Sequence, residues 1–401
     1  MNPEKSSMSA TSYSRSNHLS LLHRGAEFFP ALIHAIDSAS VEIYLETYIF
    51  AVDETANQVR EALIRAASRG VMVYVLVDWL GTGRSNVALL QTAFEPSGVH
   101  FVAFNPWFQR GIARTHRKIV VIDQRLAFLG GLNINDDLIS DDDSGMRLPA
   151  PRWDFAVSII GPLVDDVHAE VATQWKRQSS QTLRRRLGRL HQLRQLRQWY
   201  ASRHSVQWQV AEAALVVRDN LRNRVAIERQ LLQALGRAHH SAVLVTPYFA
   251  PGRKLRRAML HAATRGVDIT LLIGVGQFVM QDAVAQSFYP RFIHAGIRLV
   301  EYRATQLHAK AAVVDDAWAT LGSSNFDGLS LFVNHEANII VRDANFSMVL
   351  RDTIARGVAE GTIITAQDVA QFSWRRRFGN RLAYLLYRAV LKIITAGRYT
   401  K

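Results

Sequence analysis

Two histidines and two lysines occupy matching places in this chain. The block His116-Arg117-Lys118-Ile119-Val120-Val121-Ile122-Asp123 returns as His308-Ala309-Lys310-Ala311-Ala312-Val313-Val314-Asp315. Each copy leads into a small-residue turn closed by an asparagine. The turns are Gly130-Gly131-Leu132-Asn133 and Gly322-Ser323-Ser324-Asn325, equally far along the chain from their histidines. A histidine can attack as a nucleophile or pass protons near neutral pH. A lysine supplies fixed positive charge where negative charge develops. One such device, carried twice and in register, points to a single site assembled from two halves.

The apolar runs after each lysine read as strands buried on both faces, the habit of α/β sheets. Side chains alternate along a strand, so His116 and Lys118 project together, as do His308 and Lys310. Asp123 and Asp315 fall at odd spacing from the lysines and are expected to serve structure first, at the strand end. A turn rich in Gly and Ser can fold Asn133 or Asn325 back beside its His and Lys.

The repeat extends upstream. A strand over Val41 to Phe50, a helix ending at Gly70 and a strand over Val71 to Asp78 are echoed by Ala242 to Phe249, a helix ending at Gly266, and Val267 to Ile273. Gly70 and Gly266 stand where a helix end calls for a left-handed residue. This order implies α/β architecture: two α/β/α sandwich domains with mainly parallel sheets, related by a pseudo-two-fold axis around one active site. Each motif is followed by a strand carrying an acid, Asp154 in one and Glu336 in the other. A working histidine needs its second ring nitrogen oriented, and a carboxylate does this while stabilising the imidazolium.

These residues resemble the phospholipase D superfamily, whose signature is the duplicated H-x-K-x-x-x-x-D with a downstream Gly/Ser turn and Asn. The resemblance spans residues 17 to 372. Within it, five stretches are similar to bacterial cardiolipin synthases of the B type. They are Glu46-Thr47-Tyr48-Ile49-Phe50, the Asp154 strand with Gly161-Pro162, Val217-Arg218-Asp219-Asn220, Tyr248-Phe249-Ala250-Pro251-Gly252 and Gly322 to Asp327. The resemblance implies a two-step phosphodiester exchange through a phosphohistidine, with no metal or other cofactor. It implies His116 as nucleophile and His308 as acid/base, and it has Lys118, Lys310, Asn133 and Asn325 hold the non-bridging oxygens. Any hydroxyl contribution from the turns falls to Ser323, since Gly131 fills the matching place. Glu46, Tyr48 and Tyr248 sit at strand ends directed at the site and are candidates for head-group contact.

The residue types suit such a reaction. A nucleophile must be neutral while its partner carries a proton, so the two histidines must differ in pKa. Two lysines supply the field that a phosphorane-like charge requires. The acidic stretch Asp136-Asp137 with Asp141-Asp142-Asp143 lacks the Gly and Glu of a calcium loop and reads as a solvated loop over the entrance.

Composition narrows the partner. The 401 residues carry a net charge of +14 and no cysteine, which excludes disulfides and thiolate metal sites. The basic excess gathers in residues 174–206, where Arg alternates with Leu183, Leu187, Leu190, Leu193 and Leu196, and in residues 373–401. Both read as basic amphipathic helices suited to an anionic phospholipid surface. The tail's apolar run is broken by Arg388 and Lys392 and falls short of the about 20 residues that a span needs. Residues 1–16 are polar and Ser-rich and are expected to be disordered, with no signal-peptide pattern. The expected organisation is therefore this disordered start, a first domain over 17–173, a linker helix over 174–206, a second domain over 207–372 and the tail over 373–401.

The expected protein is a phosphatidyltransferase that forms cardiolipin from phosphatidylglycerol, peripheral on the cytoplasmic face of the bacterial inner membrane. A phospholipase D-type lipid hydrolase and a nucleic-acid phosphodiesterase share the chemistry. The second would favour basic residues strung with stacking aromatics along a groove. Basic residues interleaved with Leu disfavour nucleic acid. The oligomeric state is not legible in the sequence.

Overall fold

A computed structural model describes residues 11–108, 111, 113–141, 145–179, 211–219, 223–328, 330 and 334–394. The linker helix expected over 174–206 lies outside the described residues from 180 onward, and so does the tail from 395.

In the first half, β1 (Ser14–His23) leads into α1 (Arg24–Asp37), β2 (Glu42–Thr47), α2 (Glu54–Ser68), β3 (Met72–Asp78), α3 (Trp79–Thr82), α4 (Arg84–Phe94) and β4 (His100–Phe104). Then come β5 (Ile119–Ile122), β6 (Leu126–Gly130), β7 (Phe155–Ile160) and α5 (Leu163–Ser179). The second half repeats the plan with β8 (Ala211–Arg218), α6 (Ala226–Arg237), β9 (Ser241–Thr246), β10 (Phe249–Ala250), α7 (Arg253–Thr264) and β11 (Asp268–Gly274). It continues with α8 (Val279–Gln286), α9 (Tyr289–His294), β12 (Arg298–Tyr302), β13 (Ala311–Val314), β14 (Trp318–Gly322), β15 (Phe326–Asp327) and β16 (Glu336–Arg342). It closes with α10 (Ala344–Glu360), β17 (Thr362–Ile364), α11 (Ala366–Ala370) and α12 (Trp374–Ile394).

All but the pair β10-β15 join one 15-stranded sheet in the order β17-β12-β11-β9-β13-β14-β16-β8-β1-β7-β6-β5-β2-β3-β4. Read outward from the β8-β1 seam, the first half runs β1-β7-β6-β5-β2-β3-β4 and the second runs β8-β16-β14-β13-β9-β11-β12 before its extra edge strand. That correspondence is the pseudo-two-fold expected from the repeat. The α/β architecture agrees with expectation, but the two sheets are fused at the seam. Within this sheet, parallel pairing is confined to β2-β3-β4 and β9-β11-β12, and the separate pair β10-β15 is also parallel. Strands β5 and β6 are joined only by Asp123 to Arg125, too short for a crossover, so they pair antiparallel, as do β13 and β14. Order begins earlier than expected. Residues 14–16 lie in β1, where Ser14 pairs with Ala213 and Asn17 with Ala211.

The motif strands are buried on both faces. Ile119 and Val121 join a core shared with Ala311 and Val313 of the other half, and Val120 and Ile122 face the first half's own core. Ala312 and Val314 face the second half's core. Gly70 and Gly266 end α2 and α7 with φ of 89° in both, the left-handed conformation that the repeat called for.

Candidate active site

Both motifs lie at the same edge of their halves. His116 precedes β5, whose Ile119 pairs with Glu46 near the end of β2. His308 precedes β13, whose Ala311 pairs with Val245 near the end of β9. The two His-Lys units therefore lie just before the strands, with the Lys118 and Lys310 carbonyls still accepting from Gly130 N and Gly322 N at 3.2 Å.

Backbone bridges then weave the halves together. His116 N donates to the His335 carbonyl at 2.9 Å, and His335 N donates to the Arg114 carbonyl at 2.8 Å. In the mirrored place, His308 N donates to the Trp153 carbonyl at 2.9 Å, and Trp153 N donates to the Gln306 carbonyl at 2.8 Å. Each histidine is thus tied to the residue that precedes an acid of the opposite half. The acids follow: His116 Nδ1 meets Glu336 Oε2 at 3.1 Å, and His308 Nδ1 meets Asp154 Oδ2 at 2.6 Å. The sequence aligned Asp154 with Glu336; the fold shows that the pairs cross between halves.

This geometry fixes the tautomer. His116 Nδ1 also lies 3.0 Å from the Ser323 carbonyl. A carbonyl and a carboxylate only accept, so Nδ1 carries the proton and a neutral ring leaves Nε2 unprotonated. Burial and the two nearby lysines hold the His116 imidazolium below its ordinary pKa, although Glu336 opposes this. Burial and Lys310 depress His308 strongly, and Asp141 opposes this. Burial pushes the Glu336 carboxyl up, but His116 outweighs it and holds the acid below its ordinary range. Burial leaves Asp154 raised despite Lys310.

Lys118 Nζ donates to the His116 carbonyl at 2.8 Å, and Lys310 Nζ donates to that of His308. Burial pushes Lys118 down to about 8 and Lys310 to about 7. Both lysines are held out of water beside the carboxylates of Asp154, Glu336 and Asp141, which act against the downward push of burial. Asn133 and Asn325 are both buried. Asn133 Oδ1 accepts from the Ile49 N–H at 3.3 Å, and Asn325 Oδ1 has no hydrogen-bond partner among the described residues.

The remaining expected residues divide. Tyr48 stands edge-on to His116 with ring centroids 4.8 Å apart, and Lys118 Nζ lies 5.1 Å from its ring centre. Its hydroxyl accepts from Arg114 at 3.1 Å. Tyr248 is raised by burial and by the Asp141 and Asp327 carboxylates, which places it on the His308 side. Glu46 is not available to a head group. It is buried against Arg117 at 3.2 Å and bonded to the Thr115 hydroxyl. Ser323 does not face a substrate either, since its hydroxyl donates to Glu336 Oε2 at 2.5 Å and accepts from Ala337 N at 3.0 Å. In the matching place a Cβ on Gly131 would lie 2.2 Å from Asp154 Oδ1, so only glycine fits beside the shorter acid.

Asp123 and Asp315 belong to the motif but not to the site. Each follows its strand with a left-handed φ, of 51° and 47°. Asp123 accepts from the N–H groups of Ser40, Val41 and Glu42, and Asp315 from those of His239, His240 and Ser241. They anchor the far ends of β2 and β9, as odd spacing suggested.

The acidic stretch is the main departure from expectation. Asp137 accepts from Gly25 N at 2.8 Å. Asp141 is inside, with a side chain 8% exposed and paired to Arg152 at 2.8 Å. Its Oδ2 lies 3.8 Å from His308 Nε2. Nothing in the spacing of five aspartates marks one of them as buried.

The family model "Cardiolipin synthase, PLD-like domain" matches residues 32–143 and 231–357. Cardiolipin synthase B of Salmonella typhi is 37% identical over 345 residues, which cover 84% of this chain and 79% of that protein. Cardiolipin synthase B of Escherichia coli (strain K12) is 35% identical over 350 residues, covering 86% and 81%. Among solved structures, phosphatidylserine synthase of Haemophilus influenzae Rd KW20 superposes with a TM-score of 0.64 at 15% identity, covering 96% of this chain and 95% of that one. The fold, the doubled motif and these relatives agree: the chain belongs to the cardiolipin synthase family, phosphatidyltransferases of the phospholipase D superfamily.

Proposed function

We propose that the protein makes cardiolipin from phosphatidylglycerol at a membrane surface, through a phosphohistidine intermediate. The observation that carries the chemistry is the crossed pair of His-carboxylate contacts around two buried lysines. His116 Nε2 attacks phosphorus while His308 Nε2, which the anionic phosphodiester lets hold a proton that burial and Lys310 disfavour, gives that proton to the departing glycerol. The acceptor hydroxyl then returns its proton to His308 as its oxygen displaces His116. Lys118 and Lys310 neutralise the phosphoryl oxygens in both steps, with Asn133 and Asn325 beside them. The head group lies against Tyr48 and Tyr248.

Helix α12 supports the membrane part. Its inner side is docked on the second half: Arg376 and Asn380 donate to Gln286 of α8, and Tyr387 Oη accepts from Gly328 N at 2.8 Å. Gly328 is three residues from Asn325, so the helix sits beside the site. Its outer side presents Trp374, Phe378, Leu382, Leu385, Leu386 and Ile393, exposed between 44% and 78%. Val279 and Met280 at the start of α8 are also exposed, and so are Trp107 and Phe108 beyond β4. An apolar stripe flanked by Arg375, Arg377, Arg381, Arg388 and Lys392 fits an anionic bilayer's surface. Among the described residues no helix is long and apolar enough to cross a membrane. The surface engaged is the cytoplasmic leaflet of the inner membrane, where anionic lipid and the basic stripe meet.

Incubation with phosphatidylglycerol vesicles tests this reading. Cardiolipin and free glycerol in equal amounts are expected. Phosphatidic acid as the main product would assign hydrolysis instead, and cleavage of single-stranded DNA without lipid products would assign a nuclease.

A further inference from the structure

We infer that Asp141 binds a second hydroxyl of the alcohol that leaves or enters at His308, and so selects a vicinal diol over a monohydric alcohol. The inference rests on the phosphatidyltransferase reading above.

The Asp141 side chain is built into the protein. Oδ1 accepts from Asn135 Nδ2 at 2.9 Å and forms an ion pair with Arg152 Nη2 at 2.8 Å. Arg152 is itself fixed by Gln306 at 3.0 Å and Asn135 at 3.2 Å. The pairing with Arg152 cancels the carboxylate's charge, so Asp141 does not repel an anionic lipid. Oδ2 is buried and has no hydrogen-bond partner among the described residues. A buried carboxylate oxygen without a donor costs free energy unless a ligand supplies one.

That oxygen is aimed at the reacting nitrogen. The gap from Oδ2 to His308 Nε2 is 3.8 Å, too long for a hydrogen bond. Neighbouring oxygens of a vicinal diol lie about 2.8 Å apart, a hydrogen-bond length. One can therefore face Nε2 while the next donates to Oδ2. In the first step the P–O bond to the diol breaks as the P–N bond to His116 forms, and the His308 proton passes to the freed oxygen. In the second step the acceptor oxygen bonds phosphorus, the P–N bond breaks, and the acceptor proton passes to His308. The second hydroxyl stays on Asp141 throughout and exchanges nothing.

The matching loop of the other half has no acid at the position equivalent to Asp141. Between Asn325 and Glu336 the sequence holds one acid, Asp327, in the place of Asn135, and its Oδ1 accepts from Ser330 N. The alcohol therefore belongs on the His308 side, which agrees with His116 as nucleophile.

Competition between acceptors isolates this role, because both alcohols divide one common intermediate. Phosphatidylglycerol vesicles are incubated with equal 1,2-propanediol and 1-propanol, and the two phosphatidyl esters are quantified. The wild type is expected to prefer the diol, and Asp141→Asn to lower the ester ratio about tenfold or more. Asn135→Ala, which loosens the same carboxylate, is expected to shift the ratio the same way by less. An equal ratio in wild type and Asp141→Asn overturns the inference, as does an Asp141→Asn protein that loses both esters alike. A wild type that forms cardiolipin but neither ester also overturns the inference, whereas one that forms neither ester nor cardiolipin refutes the phosphatidyltransferase reading itself.

Discussion

At the scale of residues, the site is two unequal copies of one device. Each imidazole is oriented by a carboxylate from the opposite half, yet the acids differ by one methylene and their surroundings compensate. Glu336 takes the hydroxyl of Ser323, whereas Asp154 stands where Gly131 has no side chain. Gly131→Ala is therefore expected to displace Asp154 from His308 and cut kcat about 100-fold or more while the fold persists, as seen by circular dichroism. Ser323→Gly should cost less, since His116 keeps its bond to Glu336. A Gly131→Ala enzyme with wild-type kcat would show that the Asp154 contact is dispensable. The lysines give a second residue-scale prediction. With pKa values of about 7 and 8, Lys310 is mostly neutral and Lys118 is partly neutral at pH 8 in the empty site. A phosphodiester restores their charge, so the lysines take up about one proton or more on binding at pH 8 and almost none at pH 6, where both are already charged. Affinity for short-chain phosphatidylglycerol should then weaken as pH rises above about 7. Calorimetry in buffers of different ionisation enthalpy measures the uptake, and no uptake at pH 8 would contradict neutral buried lysines.

At the scale of elements, the sequence was legible where a local rule decides the outcome. The apolar runs after Lys118 and Lys310 became doubly buried strands, and Gly70 and Gly266 took the left-handed ends of their helices. Alternation along the strands set the motif aspartates apart from the lysines. The reading failed where the third dimension decides. Glu46 and Ser323 were assigned by their place near a strand end or turn, but both are claimed by neighbours, Arg117 and Glu336, that no spacing reveals. The stretch around Asp141 lacks the Gly and Glu of a calcium loop and so reads as a solvated loop, while Arg152, eleven residues on, pairs with Asp141 inside the protein. Helix α12 combines both cases. Its basic and apolar periodicity announced a surface helix, but its docking on Gln286 and Gly328 did not show in the sequence. Replacing Leu385 and Leu386 by Ser leaves these docking contacts intact. It should weaken binding to phosphatidylglycerol vesicles on the order of tenfold in a sedimentation assay, without changing thermal stability. Unchanged binding would remove α12 from the membrane contact.

At the scale of the whole molecule, one 15-stranded sheet replaces the two separate sheets that a repeat suggests. The seam of β1 and β8, the core shared by β5 and β13, and the crossed acids make each half the support of the other half's histidine. Neither half holds a complete His-carboxylate pair, so the duplicated motif amounts to one site. The surroundings of the two histidines still differ, since His308 Nε2 lies 3.8 Å from Asp141 and His116 Nδ1 lies 3.0 Å from the Ser323 carbonyl, and the proposed division of tasks rests on that difference. The most direct test is to trap the covalent intermediate. A phosphatidyl ester with a p-nitrophenol leaving group needs little help from an acid, so the His308→Ala enzyme should accumulate a lipid adduct. After denaturation and proteolysis, mass spectrometry is predicted to find the phosphatidyl group on His116, and to find none in His116→Ala. An adduct on His308, or turnover of phosphatidylglycerol by either variant at the wild-type rate, would contradict the account.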